Sequence, residues 1–170
     1  MKEYKIQFSG LAEGMHTFKY VLGRSFFEHF EDDQIGDGTI EVEVNMDRQQ
    51  RMLVFGFDIR GDVEVACDVC TDPLRVFIAG HEQLIARISN GGGEDTADIV
   101  FIPEEAFEFD LAHHLFDYVH LMLPMRLTHE ESSDGRSCDP EMLTLIERYR
   151  SAGGSSMEEL KSLLSGFEKE

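Results

Sequence analysis

A chain of 170 residues, 42% of them apolar and only four of them proline, is long enough to bury a substantial core. Its net charge of −19 works against a polyanionic partner, because nucleic-acid affinity comes from Lys and Arg displacing counterions, and suits either a cationic protein partner or, as commonly, solubility alone. No apolar run approaches the roughly 18 residues of a spanning helix, and the start, MKEYKIQFSGLAEG, lacks the apolar segment of a secretory leader, so the expected location is the cytoplasm, with no membrane partner.

In chain order, residues 2–9 carry Tyr4, Ile6 and Phe8 on one side and predict a strand, with another over His16–Val21. Ser25-Phe26-Phe27-Glu28 fits a capping box opening a short helix through about Glu31, which the run DDQIGDG (Asp32–Gly38) then breaks. Ile40, Val42, Val44 and Met46 alternate with Glu41, Glu43, Asn45 and Asp47, the period of a strand with one wet face. After a turn at Asp47–Gln50, Leu53, Phe55, Phe57 and Ile59 form the return, and Val63 and Val65 lead into Cys67.

Leu74–Ser89 reads as a further long strand and Asn90–Asp95 as a glycine-rich loop. Asp98–Ile102 and Phe107–Phe109 read as short extended pieces. From Asp110, a plausible N-cap, the period becomes helical, with Leu111, Leu115, Val119 and Met122 on one face and Pro124 as terminator. Asp139-Pro140 opens another helix with a stripe of Met142, Leu145, Ile146 and Tyr149.

Strands first and helices afterwards predict an α+β fold with a largely antiparallel sheet and helices in the C-terminal third. The expected organisation is a single domain over residues 1–150. The run SAGGSS (Ser151–Ser156) then serves as linker to a terminal helix bearing Leu160, Leu163, Leu164 and Phe167.

Three cysteines are an odd count, and a reducing compartment keeps thiols free, so a disulfide framework is not expected. Cys67-x-x-Cys70 places two thiols at a strand end, where a turn can offer both to one ion. Cys138 and the nearest histidine, His129, would complete a Cys3His zinc set, although 58 residues (71–128) lie between Cys70 and His129. Inert buried thiols are the second reading. Redox chemistry is third, because the neighbours Asp68 and Asp72 are acidic and no helix follows Cys70.

His113, Asp117 and His120 share a face of the helix after Asp110 and offer a competing reading, a metal-dependent hydrolase or nuclease. The bland reading of the three is a solvated helix face. No phosphate-cradling glycine motif appears, since Gly91–Gly93 are followed by Glu94 and Asp95, and no small-molecule substrate is evident.

Cys67-x-x-Cys70, Asp110-Leu111, Leu123-Pro124-Met125 with His129, and Cys138-Asp139-Pro140 resemble, in order and spacing, the YceD-like family of large ribosomal RNA subunit accumulation proteins. The resemblance covers roughly residues 40–150. Where members usually carry an arginine before the second cysteine, a leucine after it and a second proline before the histidine, this chain has Val69, Thr71 and Leu127. The resemblance implies a bacterial, cytoplasmic, non-enzymatic protein of ribosome biogenesis, and it joins Cys67, Cys70, His129 and Cys138 in one pattern. With the charge, it points to a basic ribosomal protein or ribosome-assembly factor as partner, with rRNA affected indirectly. A plain interaction domain with idle cysteines is the remaining alternative.

Overall fold

The computed structural model describes residues 2–91, 93–130, 132 and 135–151. The expected linker and terminal helix fall, apart from Ser151, outside the described residues. Contacts divide the chain into two compact units, Met1–Val65 with Arg75–Met125 and Ala66–Leu74 with Arg126–Glu170.

The first unit is built on a five-stranded sheet in the order β2-β3-β4-β5-β6. Its strands are β2 (Gly14–Gly23), β3 (Ile35–Arg48), β4 (Met52–Ala66), β5 (Pro73–Ile88) and β6 (Ile99–Ile102), with β4 and β5 running on into the second unit at their shared end. The β2–β3 and β3–β4 ladders are antiparallel, from His16↔Met46 to Val44↔Phe57. The short β6 pairs in parallel with β5, Ile85 opposite Ile99. A separate two-stranded ribbon pairs β1 (Lys5–Gln7) with β7 (Glu108–Asp110), reinforced by the Lys5–Glu108 ion pair at 2.6 Å.

The period-2 pattern sets the inner face. Ile40, Val42, Val44, Met46, Leu53, Phe55, Phe57 and Ile59 are almost wholly buried while their neighbours face water. Helix α1 (Arg24–His29) adds Phe26 and Phe27 to the core, and α2 (Ala112–Leu121) adds Leu115, Tyr118 and Val119. Phe57 meets Tyr118 at 5.1 Å between ring centroids, and Phe55 stacks on Phe109 at the same distance. Truncating such a fully buried aromatic typically costs about 3–5 kcal/mol. The α+β class and the largely antiparallel sheet thus match the expectation.

Several local expectations are corrected. Residues 2–9 hold a 3-10 turn at Lys2–Tyr4 before the three-residue β1. The Ser25 capping box does not form: α1 starts at Arg24 after Gly23 with no side-chain cap, and Glu28 pairs with Arg24 at 2.8 Å instead of reaching back. The supposed break at Asp32–Gly38 already contains the start of β3, which enters through a bulge between Ile35 and Asp37. Asp110 is not the N-cap of α2, but its Oδ1 accepts the Ala112 N–H at 2.9 Å one residue upstream of it. Gly61 lies within β4, where a Cβ would collide with the Thr39 carbonyl, so glycine is what lets β3 and β4 approach.

In the second unit, residues 140–151 form helix α3. Asp139 opens it as expected: its Oδ1 accepts the Glu141 N–H at 2.9 Å and its carbonyl accepts the Leu143 N–H at 3.0 Å.

Candidate metal centre

All four sequence-predicted residues lie in the second unit. After β4 the chain makes a tight loop at Cys67–Asp72 and returns into β5. Cys67 N–H donates to the Asp72 carbonyl and Thr71 N–H to the Cys67 carbonyl, both at 2.9 Å, while Val69 N–H reaches the Cys67 Sγ at 3.4 Å. Closing this loop puts Thr71 in the left-handed region at φ 64°, a conformation that costs a β-branched residue about 1–2 kcal/mol.

The second half of the cluster comes from residues 127–138. Asp68 and Leu127 join the two halves by a reciprocal pair of bonds: Asp68 N–H to the Leu127 carbonyl and Leu127 N–H to Asp68 Oδ2, each 2.7 Å. Two residues on, His129 is buried at 4% exposure, next to the equally buried Thr128.

The ligand atoms of Cys67, Cys70, His129 and Cys138 all lie within 4.8 Å of one another. Cys67 and Cys70 are buried and Cys138 half-buried, all three as free thiols, with 3.8 Å between the Cys67 and Cys138 sulfurs. A disulfide would need about 2.05 Å. Thiolates about 2.3 Å from a tetrahedral zinc ion sit about 3.8 Å apart.

The imidazole supplies an independent test of fit. Both ring nitrogens of His129 are buried without a hydrogen-bond partner. A neutral imidazole has one donor and one acceptor to satisfy, and leaving buried polar atoms orphaned is unfavourable. A cation among the three sulfurs would engage one of those nitrogens, and the donor set of three thiols and one imidazole is what zinc prefers. The residues present therefore fit a bound metal.

The thiols titrate apart. Burial pushes Cys67 up, but the backbone N–H groups of Cys70 and Val69, with the thiols of Cys70 and Cys138, reverse this and leave it below the usual thiol value. Cys138 is pushed up to about 11 by burial first and then by its hydrogen bonds to Cys67 and Cys70. The loop thus favours a thiolate at Cys67.

The competing histidines are engaged elsewhere. His120 lies between the Phe116 carbonyl, 2.8 Å from Nδ1, and Asp32 Oδ2, 3.1 Å from Nε2. His113 packs edge-on against Phe30 and Asp117 is exposed. Among the described residues, Cys67, Cys70, His129 and Cys138 are the one group that brings three or more candidate metal ligands together. What sequence reasoning missed is the Asp68–Leu127 clamp; an aspartate between the two cysteines was the available signal.

A sequence model of the family described as large ribosomal RNA subunit accumulation protein YceD matches residues 55–164, well over half of the chain. The chain belongs to the YceD family. The match takes in both halves of the Cys-His cluster, and the family's description ties it to accumulation of large-subunit ribosomal RNA. No curated protein and no solved structure matches the chain significantly. Among the described residues, no helix is long and apolar enough to cross a membrane.

Proposed function

We propose that this YceD-family chain is a non-enzymatic, cytoplasmic factor of ribosome biogenesis that supports large-subunit rRNA accumulation by holding a basic ribosomal protein or assembly factor on its acidic surface. The observation that carries the reading is family membership combined with a net charge of −19, which favours a cationic protein over bare RNA. RNA is then affected through the protein partner.

In the same reading, Cys67, Cys70, His129 and Cys138 hold a structural zinc ion. The meeting of the four ligand atoms and the orphaned imidazole support it. Four protein ligands leave no open coordination position, as in structural rather than catalytic zinc sites. The ion would fasten the Cys67–Cys70 loop to the 127–138 segment, and structural zinc typically contributes on the order of 10 kcal/mol.

Capture of partners from bacterial extract at low and at high salt tests the first part. The expected result is a basic ribosomal or assembly protein retained at low salt and released at high salt. Recovery of RNA at moderate salt, with no basic protein, would overturn it.

A further inference from the structure

The five-stranded sheet ends on one side at the four-residue β6 and on the other at the ten-residue β2, which among the described residues pairs only with β3. An open strand edge carries a row of unpaired main-chain N–H and C=O groups, and proteins blunt such an edge with proline, a bulge, a charge or a short strand. β2 has no proline, and its ladder to β3 runs from Gly14↔Arg48 to Gly23↔Thr39 without a shift of register. Its lysine, Lys19, is engaged by Glu43 of β3 at 2.9 Å.

Both faces of β2 are short of neighbours. On the outer face Met15 and Val21 are 67% and 63% exposed. On the inner face His16, Phe18 and Tyr20 stay half-buried, whereas Ile40, Val42, Val44 and Met46 of β3, which has a strand on each side, are at most 1% exposed. Charge marks the same edge. Residues 14–27 carry Lys19 and Arg24 and no carboxylate, the longest acid-free stretch in a chain with 34 Asp and Glu. A second copy, itself at −19, is repelled least along this stretch.

We propose that β2 pairs antiparallel with β2 of a second copy, joining two sheets across a two-fold axis. Such an interface is self-complementary, and the main-chain bonds of strand addition complete the open edge. Pleat and charge together fix the register. Side chains that oppose one another must share a face, so the axis passes through a residue and not between two. Only axes at Phe18 and at Lys19 keep nine of the ten residues paired. An axis at Lys19 sets two lysines directly opposite each other, which is destabilising. With the axis at Phe18, Met15 opposes the partner's Val21, His16 the partner's Tyr20, Thr17 the partner's Lys19, and Phe18 the partner's Phe18. The exposed apolar side chains of the outer face and the half-covered rings of the inner face then gain neighbours in one step.

Sedimentation equilibrium of the full chain over a dilution series tests this. Wild type should rise to twice the mass of one chain. Met15→Lys with Val21→Lys sets lysine against lysine in both outer pairs, so the mass should fall to that of a single chain. Within each chain the same substitutions face Asp47 and Glu41 of β3, so the fold holds, as unchanged far-UV circular dichroism would show. Met15→Lys with Val21→Glu sets opposite charges against each other in those pairs and should keep the dimer.

Wild type at single-chain mass throughout, or a dimer untouched by the two lysines, overturns the pairing. Equal loss of the dimer in both double variants overturns it as well, since the register would then be wrong. So does a wild type that instead carries a different protein from bacterial extract on this edge and releases it when the two lysines are introduced.

Discussion

The centre makes a prediction whose sign depends on the ion. His129 is 4% exposed with both ring nitrogens unpartnered, and two unmet buried polar groups at about 1–3 kcal/mol each give a cost of about 2–6 kcal/mol in metal-free protein. His129→Leu removes both atoms, and a hydrophobic swap of similar size costs under about 1.5 kcal/mol in packing. Metal-free protein carrying His129→Leu should therefore be more stable than wild type, by about 1–4 kcal/mol. Zinc-loaded protein should show the opposite, losing several of the roughly 10 kcal/mol that a structural ion contributes when one of its four ligands is gone. Urea denaturation followed by far-UV circular dichroism suits a chain without tryptophan, run once with equimolar zinc and once with excess chelator. A destabilisation of the same size in both conditions would refute the reasoning, because His129 would then be a packed core residue indifferent to metal.

Elemental analysis of purified protein should find one zinc per chain, and Cys138→Ser should lose most of it. Asp68→Ala should destabilise by about 1–3 kcal/mol by orphaning the Leu127 N–H now held at 2.7 Å, with Asp68→Asn milder because it keeps an acceptor; urea midpoints check both. Burial holds His114 below the ordinary imidazole value despite the opposing charge of Asp117, so the unfolded chain takes up that proton first. The contribution of neutral His114 is therefore intact above about pH 6.5 and lost as pH falls below it, and His114→Asn should gain on wild type across that window in denaturation series.

The long strands were legible because period-2 alternation is a local signal that burial on one face enforces: Ile40 to Met46 and Leu53 to Ile59 lie as the pattern requires. The parallel pairing of β6 and the β1–β7 ribbon were not legible, since short apolar runs carry no information about partners far along the chain. The capping box at Ser25 failed because the helix start is set two residues earlier by the exit of β2 at Gly23, and Arg24 takes Glu28. In the centre, the Cys67–Cys70 half stood out locally. Cys138 and the nearest histidine, His129, were the candidates left to complete the set, but spacing over so long an interval is uninformative and only the family pattern joined them to it. The Asp68–Leu127 bonds depend on tertiary placement and could not be read beforehand.

The reciprocal bonds between Asp68 and Leu127 involve no ion, so the two arms of the centre sit side by side before any metal arrives. Much of the ordering entropy that capture would otherwise cost is already spent in the fold. Loading and stripping should accordingly run as rapid local events, with half-times set by ligand exchange at the loop and insensitive to how slowly the rest of the molecule unfolds.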